Sequence, residues 1–290
     1  MDFGNIIAAV CVVGGTGLVF GLLLAFASHV FAVKVDERTE QILGVLPGAN
    51  CGSCGYAGCS AFADAVTSGT APVNGCTVGK APVAEKIAAI MGTEAGEVAD
   101  VVARVMCGGD CASAAVKFEY EGIDDCWAAA RFAGGVKQCT SGCIGLGHCV
   151  TVCQFDAISV VDGVAIVDAE KCQACGMCVK SCPKNLIQLI PRDNRHWVLC
   201  SNPELGKYVN HYCKKGCIGC KLCEKACHFD AIHVVNNHAI IDYDKCKNCG
   251  LCAKKCPRGV IHSEPRPGMP KPAEQAPAKP AAQAAEPANV

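Results

Sequence analysis

The sequence predicts an α+β chain in five parts. These are an N-terminal transmembrane helix (1–33), a mainly helical cysteine-bearing domain (34–135), two tandem modules with a linker (136–212 and 213–265), and a Pro/Ala-rich tail (266–290). Three observations predict it. Residues 5–33 contain no Asp, Glu, Lys or Arg. Apolar residues recur at helical spacing at Val83, Ile87 and Ile90, and again at Val98, Val101, Val102 and Val105. Residues 139–191 and 213–265 align without gaps at a constant offset of 74, with 26 of 53 positions identical.

The charge-free run makes a helix roughly 43 Å long, more than the ~30 Å bilayer core. Asp2 precedes the run, and Lys34 and Arg38 follow it, so the flanking charge places its C-terminal side in the cytoplasm. A cleavable signal would have a basic start and a small-residue cleavage site instead. Gly17, Gly21 and Ala25 form a small-residue stripe on which a second membrane helix can pack. His29 is expected at the headgroup level.

In the helical domain the periodic segments predict helices over 81–91 and 94–106, and the charge of 34–135 is 7 basic against 13 acidic. Each repeat then carries a hairpin signal. In the first, 157–161 and 164–168 flank Asp162-Gly163; in the second, Asn236-Asn237 fills the turn. The tail has few large apolar residues and is expected to be disordered.

The chain holds 26 cysteines in 290 residues, 51% hydrophobic and 18% charged residues and a net charge of -1. This balance excludes a disordered chain and a nucleic-acid binder, which needs a basic excess. Cysteine at this density in so long a chain points to metal and away from disulfides. Cys172, Cys175, Cys178 and Cys182 before Pro183 form the bacterial ferredoxin run C-x2-C-x2-C-x3-C-P. Cys246, Cys249, Cys252 and Cys256 before Pro257 repeat it, and Cys217, Cys220, Cys223 and Cys227 repeat it without the proline. Three thiolates from one tight loop reach three irons of a cube, and the fourth iron takes its ligand from a distant segment. Zinc ribbons use two separated C-x2-C pairs instead.

The first repeat departs from this pattern. Leu146 stands where Cys220 stands in the second, leaving Cys143, Cys149 and Cys153, with Cys139 just upstream as the substitute ligand. Farther upstream, Cys51, Cys54, Cys59 and Cys76 lie in a glycine-rich segment whose turns can bring thiolates together. Cys11 and Cys200 are expected to be ordinary buried thiols. The other cysteines divide into six sets: 51/54/59/76, 139/143/149/182, 153/172/175/178, 217/220/223/256, 227/246/249/252, and Cys107, Cys111, Cys126 and Cys213 as the remainder. Cys139 and Cys213 are repeat equivalents and can exchange places. A second reading leaves Cys107, Cys111 and Cys126 as structural thiols, with five clusters or fewer.

A single N-terminal membrane helix, the segment from Leu46-Pro47-Gly48 through Asn50-Cys51 to Gly58-Cys59, and ferredoxin modules follow one another along residues 1 to about 265. In this order they resemble the B subunit of the Rnf complex, a membrane-bound ferredoxin:NAD oxidoreductase that couples electron transfer to ion translocation. The resemblance implies a relay of about six [4Fe-4S] clusters between reduced ferredoxin and the membrane subunits of that complex. It implies a long form with two ferredoxin modules, with the other membrane and peripheral Rnf subunits as partners. Leu146, Gln154 and His228 depart from the family's pattern. No G-x-G-x-x-G lies between a strand and a helix, so a dinucleotide site is expected on another subunit, and no catalytic nucleophile or cofactor site beyond the clusters is expected on this chain. Residues 213–262 hold nine basic residues against four acidic, a surface suited to a soluble acidic ferredoxin. A membrane-anchored polyferredoxin serving another redox enzyme, such as a hydrogenase, is the alternative.

Overall fold

The computed structural model describes residues 3–30 and 36–264. The tail at 266–290 and the end of the charge-free run lie outside the described residues. The described residues fall into two units that divide after Glu97.

In the first unit, α1 (Phe3–Val30) contains an 18-residue stretch, Cys11–Ser28, of mean hydropathy 2.0. At 1.5 Å per residue, its 28 residues are long enough to cross a bilayer. The other three helices are short and amphipathic. They are α2 (Glu37–Val45), α3 (Cys59–Thr67) and α4 (Lys80–Met91). Asp36 caps α2 by accepting the Arg38 N–H at 2.9 Å. α4 ends on Gly92, whose φ of 68° suits a left-handed cap. Ile42, Phe62, Val66 and Ile87 are fully enclosed between α2, α3 and α4. Each such side chain contributes roughly 1.5–3 kcal/mol of apolar burial.

The second unit is two copies of one plan. The first copy runs β1 (Val101–Val105), α5 (Cys126–Ala130), α6 (His148–Thr151), β2 (Ile158–Val161), β3 (Val164–Val167), α7 (Met177–Ser181) and β4 (Ile187–Pro191). The second runs β5 (His196–Val198), α8 (Gly206–Tyr212), α9 (Leu222–Lys225), β6 (Ile232–Val235), β7 (His238–Ile241), α10 (Leu251–Lys255) and β8 (Ile261–Ser263). In each copy the central strands form a hairpin, and the last strand pairs antiparallel with the first. The hairpin turns match the sequence signals. Asp162 and Gly163 have φ of 48° and 73°, and Asn236 and Asn237 have 47° and 61°, the positive values that a two-residue turn of this hand requires.

Two expectations are corrected here. Residues 94–106 do not form a helix: Val101–Val105 is a strand, paired from Val101↔Pro191 to Val105↔Ile187. The valines that suggested helical spacing are β-branched and favour a pleated, buried strand. Residues 98–135 fall in the second unit. The structural repeat also begins earlier than the sequence repeat, at β1 and β5.

Candidate metal centres

In the first unit, Cys51, Cys54, Cys59 and Cys76 line one cavity together with Leu46 and Phe62. Cys59 opens α3, and its N–H is held by Asn50 Oδ1 at 2.8 Å. A Cβ on Gly58 would lie 2.9 Å from that same oxygen, so a larger residue here would push the Asn50 side chain aside. Gly79 N–H points at Cys76 Sγ (3.4 Å). Burial pushes the Cys76 thiol up, reinforced by Cys59 and Cys54.

In the second unit, Cys126, Cys143, Cys149 and Cys182 line one cavity. Cys217, Cys220, Cys223 and Cys256 line another. Burial pushes Cys149 up to about 12, with Cys143, Cys126 and Cys182 adding to it. Cys223 is pushed to about 11 in the same way, with Cys217, Cys256 and Cys220 around it. Two further sets surround Cys178 and Cys252. Cys178, at about 12, has Cys175, Cys172, Cys149 and Cys153 nearby, and Cys252, at about 11, has Cys246, Cys249 and Cys227. Buried thiols this weakly acidic hold their protons at neutral pH unless a metal displaces them.

Backbone N–H groups are aimed at these sulfurs in a repeated pattern. Ala157 donates to Cys153 and Ala231 to Cys227, both at 3.4 Å. Leu186 donates to Cys182 at 3.5 Å and Val260 to Cys256 at 3.4 Å. Such N–H···S bonds stabilise thiolate charge and tune a bound cluster.

Cys139 does not line this cavity with Cys143, Cys149 and Cys182. Cys126 does, and Leu146 packs with Cys126, Ala129 and Ile144 in a small apolar cluster. The short helix α5 is fixed on both flanks. Its N-cap Asp125 accepts the N–H groups of Trp127 and Ala128 and pairs with His148 Nδ1 at 2.5 Å, next to Cys149. Trp127 Nε1 donates to Ser181 O at 3.0 Å, next to Cys182. The Ala128 N–H, ahead of His148 and Trp127, holds the Asp125 carboxyl below its ordinary range. Sequence spacing could not reveal a cavity-lining cysteine that arrives from a separate loop, although an Asp immediately before a cysteine is a helix-start signal.

Cys139 instead lines a cavity with Cys107, Cys213 and Cys200. Cys200, expected to be an ordinary buried thiol, is indeed buried, but it stands in this company. Cys111 is exposed beside the β2–β3 turn, where a Cβ on Gly163 would lie 2.7 Å from its Sγ. Among the described residues, no three His, Cys, Asp or Glu side chains converge tightly enough for a single metal ion. The thiols stand in fours around separate cavities instead.

Three family models match the chain. The "Putative Fe-S cluster" model covers 46–78, and two 4Fe-4S dicluster domain models cover 171–231 and 216–261. The 171–231 match joins the second run of one module to the first run of the next, whereas the cavities group cysteines within modules. The chain is 46% identical over 260 residues to the B subunit of the Na(+)-translocating ferredoxin:NAD(+) oxidoreductase complex of Acetobacterium woodii, covering 89% of this chain and 78% of that protein. It is 39% identical to the B subunit of the ion-translocating oxidoreductase complex of Methanosarcina acetivorans, covering 88% and 97%. The chain belongs to the B-subunit family of ion-translocating oxidoreductase complexes. A further member, the B subunit of the proton-translocating ferredoxin:NAD(+) oxidoreductase complex of Clostridium ljungdahlii, is 43% identical over 84% of this chain and 88% of its own length. The cofactors of this family member are [4Fe-4S] clusters.

Proposed function

We propose that this chain is the iron–sulfur electron-transfer subunit of a membrane-bound, ion-translocating ferredoxin:NAD oxidoreductase. It takes electrons from a reduced soluble ferredoxin and passes them through about six [4Fe-4S] clusters to membrane subunits. The observation that carries this reading is the recurrence of cavities each lined by four cysteines, three in the second unit and one in the first, in a chain of this family. Cys51, Cys54, Cys59 and Cys76 would hold one cluster and the two modules the rest. The clusters supply one-electron chemistry; the chain holds them, hydrogen-bonds their ligands and excludes water. The helix α1 anchors the chain as a single pass, with the cysteine-rich parts on the cytoplasmic side, as Lys34 and Arg38 suggest.

Electrons enter at the second module. Cys220 and Cys249 are exposed there, and Lys214, Lys221, Lys225, Lys247, Lys254 and Lys255 surround them in sequence on the surface. Lys215 is paired with Asp110, and Lys245 lies near Asp230 and Asp242, so these two are engaged within the chain. A basic surface beside an accessible cluster steers an acidic partner and makes encounter salt-dependent. The test is stopped-flow reduction by ferredoxin across salt concentrations, with Lys214, Lys221 and Lys225 changed to Gln. A slower bimolecular rate with a flatter salt slope is expected, at unchanged iron content. An unaltered rate and slope would reject this entry point.

A further inference from the structure

We infer that Cys107, Cys139, Cys200 and Cys213 hold a [4Fe-4S] cluster at the junction of the two modules, and that Cys111 is not a ligand. The inference rests on the reading that these cavities hold clusters, and it names the residues of one that no sequence run defines. Its cavity is lined by four cysteines, as are the three others described above.

The internal repeat decides the grouping. Val105 pairs with Ile187 and Val198 with Ile261, and these partners are 74 positions apart. Met106 N–H donates to Leu186 O and Leu199 N–H to Val260 O, both at 2.7 Å and again 74 apart in their acceptors. Met106 and Leu199 are therefore equivalent, and so are Cys107 and Cys200, the residues that follow them. Cys139 and Cys213 are equivalent by the sequence offset. Each module thus contributes the same two cysteines. Gly108 N–H donates to Leu199 O at 3.0 Å, stitching the equivalent strand ends together. By the same count, the counterpart of Cys111 is Glu204.

Donors to the sulfurs keep this symmetry. Cys143 N–H points at Cys107 Sγ at 3.3 Å, and Cys217 N–H points at Cys200. Cys143 and Cys217 are themselves 74 apart. Asn202, 2% exposed, donates Nδ2 to Cys139 Sγ at 3.3 Å. Lys137, also buried, places its ammonium near Cys143 and Cys213 while bonding Gly109 O and Gly163 O at 2.7 Å. A cluster here would lie between the set containing Cys143 and the set containing Cys217, with a hydrogen bond to a ligand on each side. It joins the two modules into one electron path.

The test is iron and sulfide content and EPR of the reduced full-length chain, purified anaerobically. Cys107→Ser and Cys200→Ser should each lose roughly four irons, and the double variant should lose no more than either alone. Both should remove the same EPR component. Cys111→Ser should keep all its iron. Loss of a cluster in Cys111→Ser overturns the inference, even if Cys200→Ser proves insoluble. Full iron in Cys200→Ser, or additive losses in the double variant, also overturns it. A wild-type chain free of iron would defeat the broader functional reading, a result distinct from any of these.

Discussion

Replacing Glu264 with Gln should loosen the junction between the two modules. Arg104 lies on β1 of the first module, with its side chain 6% exposed, and pairs with Glu264 beyond β8 of the second at 2.8 Å. The same guanidinium lies 4.1 Å from the Trp197 ring on β5, and Trp197 stacks on His262 at 4.2 Å. Arg104 is three residues before Cys107, and Trp197 three before Cys200, so this tie holds both strand ends of the junction site. Breaking a buried pair by removing one partner costs about 3–5 kcal/mol. Glu264 is 34% exposed, however, so water screens its charge. The stacking on Trp197 also survives the change. About 2 kcal/mol remains, which corresponds to about a 30-fold faster unfolding rate if the pair breaks before the transition state. The assay is loss of visible cluster absorbance in denaturant under anaerobic conditions. Kinetics suit a protein whose cluster loss is irreversible. Arg104→Met/Glu264→Gln removes the stranded charge and should return the rate to within about threefold of wild type. A Glu264→Gln rate equal to wild type, or a double variant that loses the sum of the two single losses, would refute the reasoning.

Three other outcomes follow from the same structure. Cys126→Ala should lose roughly four irons at the first module, as Cys143→Ala does, and the two together should lose no more; an intact iron count in Cys126→Ala would return that position to another thiol. Burial lowers His262 below its ordinary 6.5, so the native state resists its protonation. Stability from this group is present above pH 6.5 and lost as pH falls below it, and His262→Gln should flatten the pH dependence of the unfolding rate between pH 7.5 and 5.5, two values set about one unit either side of the ordinary histidine range. Deleting residues 1–33 should give a soluble protein that keeps its clusters, and recovery of only cluster-free aggregate would contradict the role of α1 as an anchor.

Local features were legible in the sequence wherever local chemistry decides them. Asp162-Gly163 and Asn236-Asn237 marked both hairpins because two-residue turns need positive φ. The helix Lys80–Met91 followed from its apolar spacing. The strand Val101–Val105 did not, because valines three and four apart fit a helix stripe and a buried strand alike, and only its pairing with β4 decides between them. The cysteine runs announced themselves by spacing, but cavity-lining cysteines contributed by distant loops did not. Cys126 reaches its cavity through contacts of Asp125 with His148 and of Trp127 with Ser181, neither of which spacing encodes. Cys200 gave no spacing signal because no cysteine stands close to it in sequence. A weaker signal was present: Val198-Leu199-Cys200 echoes Val105-Met106-Cys107, an apolar strand end followed at once by cysteine.

The most direct test of the account is an anaerobic iron, sulfide and zinc count on the full-length chain. Six cubane clusters predict about 24 irons and about 24 sulfides per chain, with no stoichiometric zinc. Zinc in place of iron, or iron without matching sulfide, would contradict a [4Fe-4S] electron relay.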